Sequence, residues 1–529
     1  SAGNVLDGSL RTKWHSQPRN KQWLEIDFQQ VKMFGGLFLE WDDDYAKVYE
    51  VTVSNDGKKW RRIYSQPKGK GGKEKIYLRQ TGARFIRILC KKSGTKNGFG
   101  IKEIEFKAPE KAAALGRYYE IAAQEAPAGY YPRWFSKEQT YWTYVGIEGD
   151  ENEALLSEDG IIEPHKRGFT LEPFLYLDNH QTIPVNQEVQ GKLITRDDVK
   201  ITQFLEKDYL PIPSVKWDYK GLNLKTQLFA YGEAGGSIVY ARYTLTNSAR
   251  EPVSGKLFLA IRPFQVYTPW QGFRDGGLSP IYSIKYKNCI VDVNKGSKIY
   301  PLIKPDKFGV LGGVFKIPHG SPEGDIVNYI KDGRLPRKKR AEDDDGDVSA
   351  AFEYAFNLRP AESVDYFIAL PLHDQEPSLS ARMIKETISS EYERMLKERF
   401  NFWESKVSRI TIDIPEPAMV NTLKSNIAYT LITQDEEGFQ PGSRCYDKPW
   451  IRDGGMAATA LLKMGLNSEV REFIDWYAGY QYEDGKVPPI IDTKAEDPLW
   501  EEKEKGLIEY DSQGEFVYTI LQYYYFTKD

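Results

Sequence analysis

The sequence predicts a multidomain protein of β-plus-α class, with two β-sandwich regions followed by a helical one. Three observations carry this. Short alternating strands separated by turn residues run from Ser1 to about Lys107; a longer stretch of strands runs from about Gly116 to Leu372; and apolar residues recur at helical steps from about Ser378 onward. At 529 residues the chain exceeds one core, and length alone suggests about three or four domains.

The bulk numbers narrow the function classes. A hydrophobic share of 40% and a charged share of 28% fit a soluble globular chain. A net charge of −4 and a pI near 6.0 give no electrostatic reason for a polyanion partner, so nucleic acid is not expected. No apolar run approaches the roughly 20 residues of a membrane span. The chain opens at Ser1 without a methionine, so the lack of a signal peptide says nothing about export. Cys90, Cys289 and Cys445 are too far apart for a disulfide framework or a metal site and read as buried or neutral thiols. The aromatic share is 13%, with 12 Trp and 34 Tyr; such rings stack on sugar C–H faces but also fill sandwich cores, and composition alone favours the core.

In the first region, strands are expected at Trp23–Phe28, Tyr49–Val53 and Phe85–Leu89, with Asn55-Asp56-Gly57 as a tight turn. Leu6-Asp7-Gly8-Ser9 with Thr12-Lys13-Trp14, then Trp23 to Phe28, then Val53-Ser54-Asn55-Asp56-Gly57-Lys58-Lys59-Trp60, and the closing Ile101 to Phe106 resemble the discoidin family, also called the coagulation factor five/eight C-terminal domain. The resemblance implies a jelly-roll sandwich over 1–107 that binds glycans or other ligands through loops at one end. The family's first strand is missing before Ser1, which points to a longer chain. Candidate glycan-binding residues are Trp14 and His15 on one loop and Trp41 and Tyr45 on another; against this, Trp14 and Trp23 are expected to pack the core rather than touch ligand. Asp42 to Asp44 offers hard oxygens to Ca²⁺ or forms a solvated acidic turn, and no metal site is assigned.

Ala108 to Leu115 reads as a linker rich in Ala, Lys and Glu. In the region 116–372, Ser237–Asn247 is a strand, Ser248–Pro252 a turn and Lys256–Pro263 the returning strand; Arg337–Asp347 reads as an exposed loop. A long amphipathic helix spans about 378–405, through Met383, Ile388, Tyr392, Met395 and Trp403. Ser408–Ile414 is strand-like. Helices follow from Val420 to Thr433, Met456 to Met464 with Gly465 as cap, Glu469 to Gln481, and Gly514 to Phe526.

The stretch Gly442 to Gly455, containing Trp450-Ile451-Arg452-Asp453-Gly454, reads as a loop running into the Met456 helix. A guanidinium donates to sugar hydroxyls, a carboxylate accepts, and an indole supplies a flat wall; the competing reading is an Asp helix cap with an Arg partner. In its setting, after a large β region and a connecting helix, the motif resembles the six-hairpin, glucoamylase-like glycosidases, with glycoside phosphorylases built the same way. It also resembles bacterial proteins with a discoidin domain ahead of this arrangement. The resemblance implies a large antiparallel supersandwich over 116–372, and over 415–529 the first hairpins of an incomplete (α/α)6 barrel. It implies that Arg452 and Asp453 grip a terminal sugar beside Trp450, and places Gln265, Trp270 and Gln271 in the sandwich. It implies also a periplasmic or secreted setting.

The loop 485–511 holds Glu501, Glu502, Glu504 and Glu509 and ends at Asp511, a candidate sugar-loop residue; Glu501 and Glu502 read as a solvated loop. The resemblance places the catalytic acid and base beyond Asp529, so no catalytic residue is assigned. Ser-hydrolase, zinc-protease and phosphate-loop motifs are absent, and His15, His165, His180, His319 and His373 show no ligand spacing. No cofactor is expected. The leading expectation is a glycoside hydrolase-like protein acting on oligo- or polysaccharide; the alternative is a non-catalytic carbohydrate-binding or surface-adhesion protein.

Overall fold

The computed structural model describes residues 2–108, 115–178, 191–271, 276–312, 325–499 and 509–529. The chain forms two compact units. One is Ser1–Tyr131 with Leu311–Tyr329 and Glu342–Ser349; the other is Pro132–Val310 with Ile330–Ala341 and Ala350–Asp529.

In the first unit, β1 (Trp14–His15), β2 (Gln22–Trp41), β3 (Ala46–Ser54), β4 (Arg61–Gln66), β5 (Lys73–Ser93) and β6 (Gly100–Lys107) pair in the order β1-β6-β2-β5-β3-β4. The long strands β2 and β5 pair through most of their length, with register breaks at Asp27/Lys32 and Phe34/Gly36. Such breaks bend a strand and let it serve both layers of a sandwich. Tyr49, Val51 and Val53 alternate into a core shared with Phe34, Leu39 and Ile101. The same alternation sends Leu24 inward and leaves Trp23 outside, 55% exposed, so the expectation of Trp23 in the core fails; Arg87 instead lies over its ring at 5.6 Å. Gly57 takes φ +69° in the expected turn, whose amides are gathered by the Asp56 carboxylate. Residues 115–125, assigned from sequence to the linker and β region, form helix α1 (Leu115–Glu125), a stretch with Ile121 as its single β-branched residue and no Pro.

The second unit holds two large antiparallel sheets. In one, Thr170–Leu177 pairs with Val253–Arg262, which pairs in turn with Ser349–Leu358. In the other, Leu210–Tyr219, Leu222–Tyr231, Ile238–Asn247 and Ser363–Pro371 lie side by side. The two strands expected as a hairpin around Ser248–Pro252 therefore lie in different sheets, and the turn is a crossover. Buried Asn247 fixes it: its side-chain amide donates to Glu251 O at 2.8 Å and Leu358 O at 3.0 Å, while its carbonyl accepts from Ala249 N. In the expected exposed loop 337–347, Arg337 to Arg340 are exposed, but Asp343 and Asp347 are buried, Asp343 accepting from Asp345 N within its own turn.

The connecting helix α2 (Lys385–Val407) covers the outside of the second sheet. Ile388, Tyr392 and Met395 pack on Ile212, Phe229 and Phe367. It starts later than expected because Leu379 and Met383 enter this core from non-helical chain. Residues 408–414 form no strand; Ile412 packs on the helical core instead. Then come α3 (Pro417–Ile432), α4 (Ile451–Lys463), α5 (Asn467–Ala478) and α6 (Ser512–Thr527). Gly465, at φ +78°, ends α4 with paired bonds from Gly465 N to Leu462 O and from Leu466 N to Leu461 O, a Schellman closure. No helix among the described residues is long and apolar enough to cross a membrane.

Candidate functional site

The Trp-Ile-Arg-Asp-Gly motif is not a loop. Helix α4 begins at Ile451, so Arg452 and Asp453 occupy its first turn and Trp450 is its N-cap residue. The reason is packing. A β-carbon on Gly454 would sit 2.6 Å from Phe473 Cζ of α5, and one on Gly455 would sit 2.6 Å from Thr519 Oγ1 of α6. Two glycines, poor helix formers in isolation, let two neighbouring helices close on the start of α4, and that packing outweighs propensity. Asp453 is exposed beside the helix N-terminus, where a negative charge is favourable.

Arg452 is half-exposed and its Nη2 donates to Glu509 and, at 3.2 Å, to Asp511. The two carboxylates, Glu509 first, raise the guanidinium's affinity for its proton. Asp511 is the residue preceding α6 and its carbonyl accepts from Glu515 N, so two helix starts hold the ion cluster. Both carboxylates sit on Nη2, leaving Nη1 and Nε outside that pairing. The Trp450 ring lies 6.5 Å from that of Tyr446, itself 55% exposed. Guanidinium and carboxylates thus form a half-open ion cluster at the start of α4. Glu501, Glu502 and Glu504 lie outside the described residues, as do His180 and His319.

A buried network escaped the sequence reading. Arg444, 5% exposed, donates to Glu163 Oε1 at 2.9 Å, to Glu153 Oε1 at 3.3 Å and to Glu153 O at 2.9 Å. Glu163 also accepts from Val266 N and Tyr267 N. Complete burial pushes Glu153 up to about 8 against the pull of Arg444. Beside it, burial pushes Asp435 up to about 6 although Lys494 stands at 3.1 Å. Lys494 lies 3.8 Å from Asp447, which also binds Lys166. Arg444, Glu153, Glu163 and Asp435 are too enclosed to meet substrate. They pin the segment from Arg444 to Asp447 to the β-sandwich, and so position Trp450 and Arg452. A charged residue inside the apolar run Ile161-Ile162-Glu163 was the available signal.

At the end of the N-terminal sandwich the structure separates the four candidates. Trp14 and His15 form strand β1, paired to Ile101 and Gly100, rather than a loop. Trp14 is half-buried on the core. His15 is exposed, with Nε2 3.0 Å from Asp44 Oδ2. Trp41 is 2% exposed and edge-on to Tyr49, so its ring presents no face to a ligand; its place at the inward end of β2 is the cause. Tyr45 is partly buried beneath Gly71 and Gly94, where β-carbons would strike its ring at 2.7 and 2.5 Å. Nor is 42–44 a solvated turn. Asp42 is buried against Lys13 and 3.7 Å from Lys102, and Asp44 accepts from Thr95 at 2.5 Å. Among the described residues no group of three or more His, Cys, Asp or Glu is placed to hold a metal.

Elsewhere, Gln265 is buried and donates to Leu278 O at 2.8 Å, Gln271 accepts from Thr268, and Trp270 is half-exposed on Gln139. His165 Nε2 lies 2.8 Å from Ser297 Oγ, and His373 Nε2 lies 2.7 Å from Asp150.

Comparison with known proteins adds the following. The polysaccharide lyase 8 family protein HylA of Enterococcus faecalis is 33% identical over 113 residues, which are 20% of this chain and 8% of that protein. The chain therefore spans less than a tenth of the length of this curated relative. Chitosan-binding module 1, derived from a chitosanase/glucanase of Paenibacillus sp. IK-5, is 28% identical over 20% of this chain and 85% of its own, with a TM-score of 0.20. Module 2 of the same enzyme, in complex with chitotriose, is 27% identical over 20% of this chain and 86% of its own, with a TM-score of 0.20. Residues 1–104 match the family model of the F5/8 type C domain. Together with the six-stranded sandwich, this makes the N-terminal segment of the chain an F5/8 type C domain.

Proposed function

We propose that this is a carbohydrate-active protein of glycosidase-like type. Its F5/8 type C domain holds glycan, and its helical segment grips a terminal sugar through Arg452, Asp453 and Asp511 beside Trp450. The observation that carries the reading is the half-open Arg452 cluster, with its guanidinium held between two helix starts. Vicinal hydroxyls need a planar donor with a nearby acceptor, and their ring needs an apolar wall. The name of the enterococcal relative supports a polysaccharide setting, but 8% of that protein is shared, so its chemistry is not extended to this chain. The reading includes the helices of 415–529 as the opening hairpins of an (α/α)6 toroid, with the sandwich of 116–372 and the 378–405 helix as its companions. The acid and base are unassigned.

The test is a glycan array probed with the full chain and with Arg452→Ala. The expected result is binding by the parent chain and loss of one class of bound glycan in the variant, at an unchanged melting temperature. An identical profile in the variant would overturn the helical site and leave a carbohydrate-binding protein acting through its N-terminal domain.

A further inference from the structure

The net charge of −4 hides an uneven distribution. Residues 1–107 hold 22 Lys and Arg against 12 Asp and Glu, a formal charge of +10, which leaves −14 for the other 422 residues. The basic charge belongs to the F5/8 type C domain, where the whole-chain figure gave no reason to look for it.

Part of that charge is gathered at one end of the sandwich. Trp41 N donates to Gly72 O at 2.9 Å, Gly69 N to Lys47 O at 2.8 Å and Gly94 N to Tyr45 O at 2.9 Å. The segments 41–48, 66–75 and 91–99 therefore meet, with the Tyr45 ring against Gly71 and Gly94. They carry Lys47, Lys68, Lys70, Lys73, Lys92 and Lys96, all exposed and none in an ion pair among the described residues. Their carboxylates offset little of this. Asp42 is buried against Lys13, Asp44 accepts from Thr95, and Glu74 accepts from the Tyr49 hydroxyl. Asp43 is the one exposed carboxylate of these segments.

Like charges held together by the fold create a field that an anion relieves. An ammonium is a point charge without the fixed fork of a guanidinium, so such a surface suits a polymer presenting charge at intervals. The same segments expose no large apolar side chain, since Trp41 and Phe99 are buried. A neutral sugar lacks an apolar wall there, nucleic acid bases lack rings to stack on, and a bilayer lacks an anchor to take up. We propose that this end of the F5/8 type C domain binds an acidic polysaccharide, whose ring carboxylates meet the lysines. The inference rests on the carbohydrate reading above and narrows its ligand class.

The test is equilibrium binding of the full chain to polygalacturonate, with dextran as the neutral polymer and phosphatidylglycerol vesicles and duplex DNA as other polyanions. Polygalacturonate should bind at least about tenfold more tightly than any of these, and raising salt from about 0.05 to 0.5 M should weaken it about tenfold. Lys47→Gln, Lys70→Gln and Lys96→Gln combined, one from each segment, should weaken it about tenfold at an unchanged melting temperature. Lys58→Gln, Lys59→Gln and Arg61→Gln combined remove the same charge at the other end of β3, roughly 25 Å away, and should change it less than about twofold. Equal weakening by the two triple variants would overturn the assignment to this end. Dextran bound as tightly as polygalacturonate would overturn the acidic class and leave the proposed function standing. Tighter binding to vesicles or DNA would overturn the choice of polymer. Polygalacturonate left unbound while a glycan array shows binding would overturn this inference alone, and an empty array as well would overturn both.

Discussion

Arg452 in the first turn of α4 donates to Asp511 at the head of α6 across 3.2 Å, with Glu509 on the same nitrogen. The pair joins two helix starts across a sequence separation of 59, with α5 between them, yet it stays open to solvent.

Exposure determines what Arg452→Ala does. An open ion pair is worth roughly 0–1 kcal/mol, so the variant should unfold within a degree or two of the parent. Its effect belongs to binding. Calorimetric melting and sugar titration of the same sample separate the two, and a large loss of melting temperature would make Arg452 a structural residue.

Gly454 is the more fragile position. Replacing glycine by alanine in a helix interior normally gains about 0.5–1 kcal/mol. Here the new methyl would meet the buried Phe473 ring at 2.6 Å, and overpacking of that kind costs about 1–3 kcal/mol. Gly454→Ala should therefore destabilise in denaturant titration. Gly514→Ala in α6, where nothing lies within 4 Å, should be neutral or stabilising by up to about 1 kcal/mol.

The buried carboxyls set a pH profile. Glu153 rises from an ordinary 4.5 to about 8 and Asp435 from 3.8 to about 6, so the folded chain binds more protons than the unfolded one in that range. Their contribution is fully present below about pH 4 and is lost as pH climbs toward 8. Glu469 runs the other way. Although burial alone would raise it, Lys406 holds it down to about 2, so its contribution is present above about pH 4.5 and fades as pH falls toward 2. Melting temperature should peak on the acid side of neutrality and decline toward pH 8. Glu153→Gln should flatten that decline, and an unchanged slope would contradict the assignment.

Trp41 and Trp23 share a strand and differ in burial. Trp41→Ala should cost about 3–5 kcal/mol, and Trp23→Ala less than about 1 kcal/mol, since what it loses is an open contact with Arg87. Thermal melting of both variants checks the contrast.

These positions also show what could be read from the chain alone. Alternation and turn chemistry mark parts of β2, β3 and β5, and helical spacing marks α2 to α6, because both are local patterns; β6 is marked by the discoidin resemblance. Trp23 was misread because an indole is apolar by composition while Leu24 and Ile26 already fill the inward positions. The strands flanking Ser248–Pro252 looked like a hairpin because short turns usually make one; the Asn247 bonds to Leu358, 111 residues away, are what send them to different sheets. Arg444 and Glu153 lie 291 residues apart, and no local pattern announces such a pair. Of the candidate cluster, Arg452 and Asp511 stand out in the sequence, whereas Glu509 as the second partner of Arg452, and the start of α4 at Ile451, depend on tertiary packing.

The most direct measurement is equilibrium binding of the full chain across a glycan array, with free oligosaccharide as competitor. Saturable, competable binding to at least one glycan class is the expected result. No binding to any glycan, by a chain shown to be folded by a cooperative melt, would contradict the carbohydrate reading at its root.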